Sequence, residues 1–319
     1  MNTTVEDKLD KIPVVNVVVR FLKKIKLPGF EGLSLYHLLE MYVLGIVKGT
    51  LTTRASAIAF SFFTAIFPFL LFIIIIIPYI PFENFQTEFL EFLDSILPPT
   101  TSDFFNKNIF DNINTSKQGG LLSSVFLLSI FLMGNGVSAI FSGFENSYHE
   151  QLTRSALKQY LYALGVALIL ALLVILTVGV LGYSEVYIFQ NLRESGYIDN
   201  SQEQTGIRLA QYAFFVIMIY LATSILYYFG TKEGRHTRFF SIGALLTTLL
   251  IMLTSYLFGI YIENFSQYNE LYGSIGALLI LLFYLWLNAN ILLLGFELNI
   301  SLRNLRKKHS KNEEINSTP

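Results

Sequence analysis

Apolar residues gather into six long stretches, at about residues 56–80, 120–142, 159–182, 207–230, 239–262 and 274–298, separated by polar connections. A hydrocarbon core of roughly 30 Å is crossed by about 20 mostly apolar helical residues. The pattern therefore predicts an all-α, polytopic membrane protein with six transmembrane helices. None of the stretches holds a Lys or Arg near its centre. The first is preceded by 55 residues and followed by no small-residue cleavage site, so it reads as a span rather than a cleaved signal peptide.

Two shorter periodicities lie outside these stretches. Between residues 81 and 119, Phe82, Phe85, Phe89, Phe92, Leu93, Ile96 and Leu97 recur at helical spacing against Glu83, Glu88, Glu91 and Asp94, and Pro98 and Pro99 end the run. This predicts an acidic amphipathic helix in the first outer loop, either a cap or a lid. Residues 34–48 predict a second, with Ser34 as N-cap and His37, Glu40 and Lys48 as a polar stripe. It is too short to span and fits an interfacial helix before the first span, with Lys23, Lys24 and Lys26 placed to meet anionic headgroups. The chain thus divides into an N-terminal segment (1–33), a six-span domain (34–302) and a basic, polar tail (303–319) whose last dozen residues are expected to be disordered.

Charge orients this layout. Lys and Arg number 18 in the segments flanking the first span's start, the second and fourth connections and the tail, against four (Lys107, Lys117, Arg193, Arg208) in the alternate segments. Cytoplasmic loops retain such an excess, which predicts both termini in the cytoplasm of a cell (cytoplasmic or inner) membrane. The net charge of -1 conceals this polarity, because acidic residues are 11 on the basic side and 12 on the other. Of the 319 residues 53% are hydrophobic and 14% charged, against about 25% charged in soluble domains. That composition argues against an ordinary soluble enzyme. With no cysteine, disulfides, thiolate nucleophiles and cysteine metal sites are excluded.

Polar side chains inside spans are costly and therefore informative. In the first span Arg54, Ala57, Ser61, Thr64 and Pro68 share one small, polar face opposite Ile58, Phe62, Ile66 and Phe69. That face suits either a cavity wall with a proline hinge or close helix packing. Asn135 sits deep in the second span between Gly134 and Gly136, and with Asn146 it fits interhelical hydrogen bonding or a substrate contact. In the sixth span Tyr284, Asn288, Gly295 and Asn299 share one face and Gly276, Asn290 and Glu297 the other. A helix polar on two sides is expected near the middle of the bundle. Glu297 suits a structural ion pair with Arg54 or a proton or cation relay.

Other chemistry is not supported. His37, His149, His236 and His309 are scattered and form no metal array, and neither a P-loop nor a G-x-S-x-G elbow is present. The basic clusters flank spans and lack a stacking platform for nucleic acid. No catalytic, metal or cofactor-binding residues are assigned.

The segments TRASAIAFSFFTAIFP (53–68), FENSYHE and YGSIGALLILLFYLWLNANILLLGFELN (272–299) resemble the hallmark segments of the YihY/BrkB family of bacterial inner-membrane proteins. The resemblance covers nearly all of 35–305. It implies a six-span helical protein of undefined function; the family's former label, ribonuclease BN, is regarded as mistaken, and BrkB was linked to serum resistance. It maps the family's motif onto Arg54, Ala55, Pro68, Asn146, Tyr148, Gly295, Glu297, Leu298 and Asn299. Phe60, Phe62 and Phe296 depart from it, the first two standing where relatives carry tyrosines.

The functional expectation is transport or translocation of a lipid-like or other small substrate through a polar cleft lined by the first, second and sixth helices. Its candidate lining is Arg54, Ser61, Thr64, Pro68, Asn135, Asn146, Tyr284, Asn288, Asn290, Glu297 and Asn299. The alternative is a non-transporting envelope scaffold. Membrane lipids are the expected partners, with a homo-oligomer and envelope proteins as further ones and no nucleic acid.

Overall fold

A computed structural model of the chain describes Phe21, Lys24, Ser34, Tyr36 and residues 50–76, 119–145, 155–184, 201–232, 234, 238–264 and 274–317. Six helices carry the described fold: α1 Thr50–Ile76, α2 Gly119–Glu145, α3 Ala156–Tyr183, α4 Ser201–Gly230, α5 Ile242–Asn264 and α6 Ser274–Ser317. All six are long and apolar enough to cross a membrane. The helix predicted in the first outer loop lies outside the described residues, as does the 34–48 helix except for Ser34 and Tyr36, which are both buried.

Each helix packs on its chain neighbours, α1 on α2 through to α5 on α6, and α6 returns to α1, closing a ring. Neighbours run antiparallel. Gln159 at the start of α3 bonds Ser142 at the end of α2, Gln211 of α4 reaches Ser184 after α3 at 2.9 Å, and Ser255 late in α5 meets Tyr284 early in α6 at 2.6 Å. The arrangement corrects one expectation, since α6 is a member of the ring and not its centre. Its two polar faces are its two seams. Tyr284 and Asn299 bond α5, whereas Glu297 bonds α1.

Lipid tails are as apolar as leucine, so such a ring is held by close packing and interhelical hydrogen bonds rather than by hydrophobic exclusion. Glycines mark the closest approaches. A Cβ on Gly143 of α2 would lie 2.7 Å from Ile58 Cδ1 of α1 and 3.3 Å from Leu293 Cδ2 of α6, and one on Gly136 would lie 3.0 Å from Ala65 Cβ. Hydroxyls inside helices turn onto their own backbone, as Thr177 does to the Leu173 carbonyl (2.7 Å) and Thr248 to that of Ala244 (2.9 Å), which satisfies them without water.

Burial is uneven along the ring axis. At the end where α1 begins, here the Arg54 end, Ile140, Phe141, Phe144, Tyr227, Leu293 and Phe296 fill the interior. Moving away, the inward rows of α4, α5 and α6 lose cover. On α4 the row of Tyr227 passes through half-buried Tyr220 and Val216 to exposed Ala213 and Leu209; on α6 that of Ala289 passes through half-buried Leu282 to exposed Leu278. On α5, Ala244 gives way to half-buried Ile251, Ser255 and Phe258 and then to exposed Ile262. The ring interior is well covered at one end and less covered along α4, α5 and α6 at the other, where Ser255 and Phe258 still hold α5 to Tyr284 of α6.

The last helix also departs from expectation. The tail, read as disordered from residue 308 on, continues α6 to Ser317 over 44 residues in all. Helix nucleation is the costly step, and here the membrane-spanning part supplies it. Beyond Arg303 the sequence offers Lys, Arg, Glu and Asn with no Gly or Pro before Pro319, so propagation meets no breaker.

Candidate functional site

Polar chemistry concentrates at the Arg54 end. Arg54, in the second turn of α1, donates through Nη1 to the Gly143 carbonyl at 2.9 Å and through Nη2 to Glu297 Oε1 at 3.2 Å. The pair is nearly enclosed, at 12% and 10% side-chain exposure. One guanidinium thereby joins α1, α2 and α6, and Arg is suited to this because its planar fork serves two acceptors at once. A carbonyl of α2 is reachable because Gly143 has no side chain to hold the helices apart.

A second acid lies nearby in sequence, at the end of α2. Glu145 is 1% exposed. With its nitrogen turned toward this carboxylate, the Gln159 amide donates to Glu145 Oε2 and accepts from the Ser142 hydroxyl and backbone NH, each at 3.1 Å, which satisfies both ends of the amide. Between α5 and α6, Gly243 NH donates to Asn299 Oδ1 at 2.8 Å and Asn299 Nδ2 donates to Ser241 Oγ at 2.8 Å. Tyr227 of α4 reaches across to both, its hydroxyl donating to the Leu292 carbonyl at 2.7 Å and lying 2.6 Å from Thr247 Oγ1. Beneath these bonds the rings of Phe144 and Phe296 stack at 4.1 Å and 15°, with Tyr227 tilted against Phe296 at 5.9 Å. A pocket lined by residues including Tyr227, Thr231, Asn299 and Arg303 has room for about one water molecule.

The residues named from sequence fall into three places. Arg54 and Glu297 meet in the α1–α6 seam, and Asn290, 2% exposed, stands two turns, about 10 Å, from Glu297 on the same face of α6. Tyr284, Asn288 and Asn299 line the opposite, α5-facing side. The amide nitrogens of Asn288 and Asn290 are held by the Tyr284 and Trp286 carbonyls, each at 2.8 Å, and both Oδ1 atoms are buried without a partner. The third group turns outward. Thr64 and Asn135 are exposed, and Thr64 bonds the Ser61 carbonyl at 2.9 Å. Ser61 is half-buried and Pro68 buried. Asn146 lies outside the described residues. The small face of α1 is therefore not a single cleft wall. Ile58, Ala65 and Phe72 are the buried row, because in lipid a small polar residue with its hydroxyl on the backbone tolerates the outer surface and an apolar one packs equally well inside.

Sequence reasoning passed over Glu145, Gln159, Ser241, Tyr227 and Thr247. The signal for Glu145 was present, as an acid closing a long apolar run; the others are recognisable only once helices are paired. Among the described residues no three His, Asp or Glu side chains gather as metal ligands.

Six antiparallel apolar helices tied by a buried ion pair define a multi-pass α-helical membrane protein. The chain belongs to the Virulence factor BrkB family, which it matches over residues 45–317. It is 24% identical over 263 residues, 82% of its length and 93% of the relative's, to a protein of Bacillus subtilis (strain 168) named putative ribonuclease-like protein YfkH. A UPF0761 membrane protein of Aggregatibacter aphrophilus (strain NJ8700) is 25% identical, covering 69% of this chain and 75% of that one. Another of Xanthomonas oryzae pv. oryzae (strain PXO99A) is 39% identical over 64 residues, 20% of this chain and 15% of the relative. No solved structure matches the chain.

Proposed function

We propose that the protein translocates a lipid-like amphiphile, with the ring as its path and the Arg54 end as its closed gate. The observation that carries this reading is the gradient of burial. The inward rows of α4, α5 and α6 run from buried Tyr227, Ala244 and Ala289 to exposed Leu209, Ile262 and Leu278, and these apolar residues suit acyl chains. The Arg54–Glu297 pair, Asn290 and the Phe144–Phe296 stack stand across the narrow end, where a headgroup would have to pass. This moves the expected lining: α1, α2 and α6 supply the gate, and α4, α5 and α6 the wide entrance. The basic asymmetry in the connections supports a gate and both termini on the cytoplasmic side of the cell membrane, which single-site labelling from either side would check.

The reading is of a non-enzyme. Reconstitution in vesicles tests it, comparing movement of fluorescent phospholipids between leaflets with flux of small ions. Phospholipid movement above that of empty vesicles is expected. Folded protein that moved neither would overturn the proposal in favour of an envelope scaffold, a reading supported by the tight glycine contacts at Gly143 and Gly295.

A further inference from the structure

Asn135 stands at the midpoint of the α2 span Phe126–Glu145, yet it faces out. The cause lies in its neighbours. A Cβ on Gly134 would lie 3.0 Å from Leu164 of α3, and one on Gly136 would lie 3.0 Å from Ala65 of α1. Those two positions are the seams with the flanking helices. Asn135, about 100° of helix rotation from each, projects between them, away from the buried row of Met133, Val137 and Ile140. Asn135 is exposed and makes no hydrogen bond among the described residues.

Around it, Leu128 (56% exposed), Phe131 (54%) and Leu132 (36%) precede Asn135 by seven, four and three residues. The Phe131 ring also packs on Tyr160 of α3 at 5.3 Å, and the four positions have the spacing of a helix-packing seam, three apolar residues and one amide, the pattern by which a single Asn sets register and partner number in paired helices. Acyl chains carry no donor or acceptor and cannot satisfy the amide. A second amide can, because each has both a donor and an acceptor, and a two-fold axis passing beside Asn135 brings it against its own copy.

We infer that the protein forms a two-fold dimer in the membrane through the outer face of α2, with Asn135 of each copy hydrogen-bonded to Asn135 of the other. The partner is a second copy because the seam's chemistry is self-complementary. The inference is independent of the translocation reading, since it uses only the lipid-facing side of α2.

The natural chain has no cysteine, so single-cysteine variants report without background. Leu132→Cys, one turn from Asn135 on the same exposed face, and, as a control on the exposed face of α5, Leu249→Cys are treated in native membranes with a short thiol-to-thiol cross-linker. Leu132→Cys, which keeps the Asn135 amide, is expected to give a product of twice the chain mass and Leu249→Cys none. For the unmodified protein, mass photometry in lipid nanodiscs is expected to show two copies per particle, with Asn135→Leu shifting particles to one copy and Asn135→Gln retaining pairs. A single copy for the wild-type chain, equal cross-linking at the two positions, or a Leu132→Cys product containing a different protein would each overturn the inference. Folding of the variants is followed by their melting transitions, and Asn135→Leu, an apolar change on an exposed face, is expected to match the wild type there.

Discussion

Arg54 and Glu297, 243 positions apart in sequence, meet at 3.2 Å and so tie the first helix of the ring to the last. A largely buried charge that loses its partner is costly, about 3 kcal/mol or more when fully enclosed. Arg54→Leu is expected to destabilise by about 2–3 kcal/mol, because Glu297 and the Gly143 carbonyl both lose their donor. Glu297→Leu should cost a similar amount. The double variant is expected to be clearly more stable than the sum of the two losses, as paired charges within 4 Å are coupled. Melting midpoints of the four proteins in detergent check this, and simple additivity would show the pair to be energetically idle.

Gly295 is where α6 lies closest to α5. A methyl group there would overlap Thr247 Oγ1 and lie 2.5 Å from the Tyr227 hydroxyl. Gly295→Ala is therefore expected to cost about 1–3 kcal/mol, the usual range for overpacking. Thr247→Ala in the same chain should restore part of the loss by removing the nearest atom. If Gly295→Ala melts like the wild type, the two helices are not in this contact.

How far the sequence reached is clearest at Glu297 and Asn135. Membrane-length runs, their number and their polar positions are one-dimensional properties, so the six helices and an Arg54–Glu297 pairing were legible. For Asn135 the flanking glycines imply close packing and so point to glue between helices of the bundle or a substrate contact inside it. They do pack closely, but against α1 and α3, and the amide between them faces out. Which side of a helix is inside depends on which helices flank it, and apolar periodicity carries little of that information in lipid, where inner and outer residues are alike. The same degeneracy made α6 look central when its two polar faces are two seams. In the tail, composition was read as disorder although it contains no helix breaker before Pro319.

Tyr227 is buried at 2% exposure and its hydroxyl bridges the Leu292 carbonyl and Thr247. Tyr227→Phe keeps the ring against Phe144 and Phe296 and removes only the oxygen. It leaves Thr247 without its Tyr227 bond, and the expected loss is about 1–3 kcal/mol. Adding Thr247→Val, which removes the second hydroxyl, should cost little more. A loss shared in this way, read from melting curves of the single and double variants, assigns the cost to the hydrogen bond rather than to packing.

The aromatic stack separates a conduit from a solid bundle. Phe296 closes the ring interior against Phe144 at 4.1 Å, and both are almost fully buried, at 3% and 0% exposure. Truncation to Phe296→Ala would leave a cavity costing about 3–5 kcal/mol, so the gentler Phe296→Leu is the more useful change. It narrows the plug while retaining an apolar side chain, at an expected cost of about 1–2 kcal/mol. If the Arg54 end gates a path, Phe296→Leu vesicles should move fluorescent phospholipid several-fold faster than wild type, and a disulfide-free covalent staple between Cys substitutions at Leu209 and Leu278, across the less covered end, should slow both proteins. Unchanged rates in both experiments would mean that the ring interior is not the route.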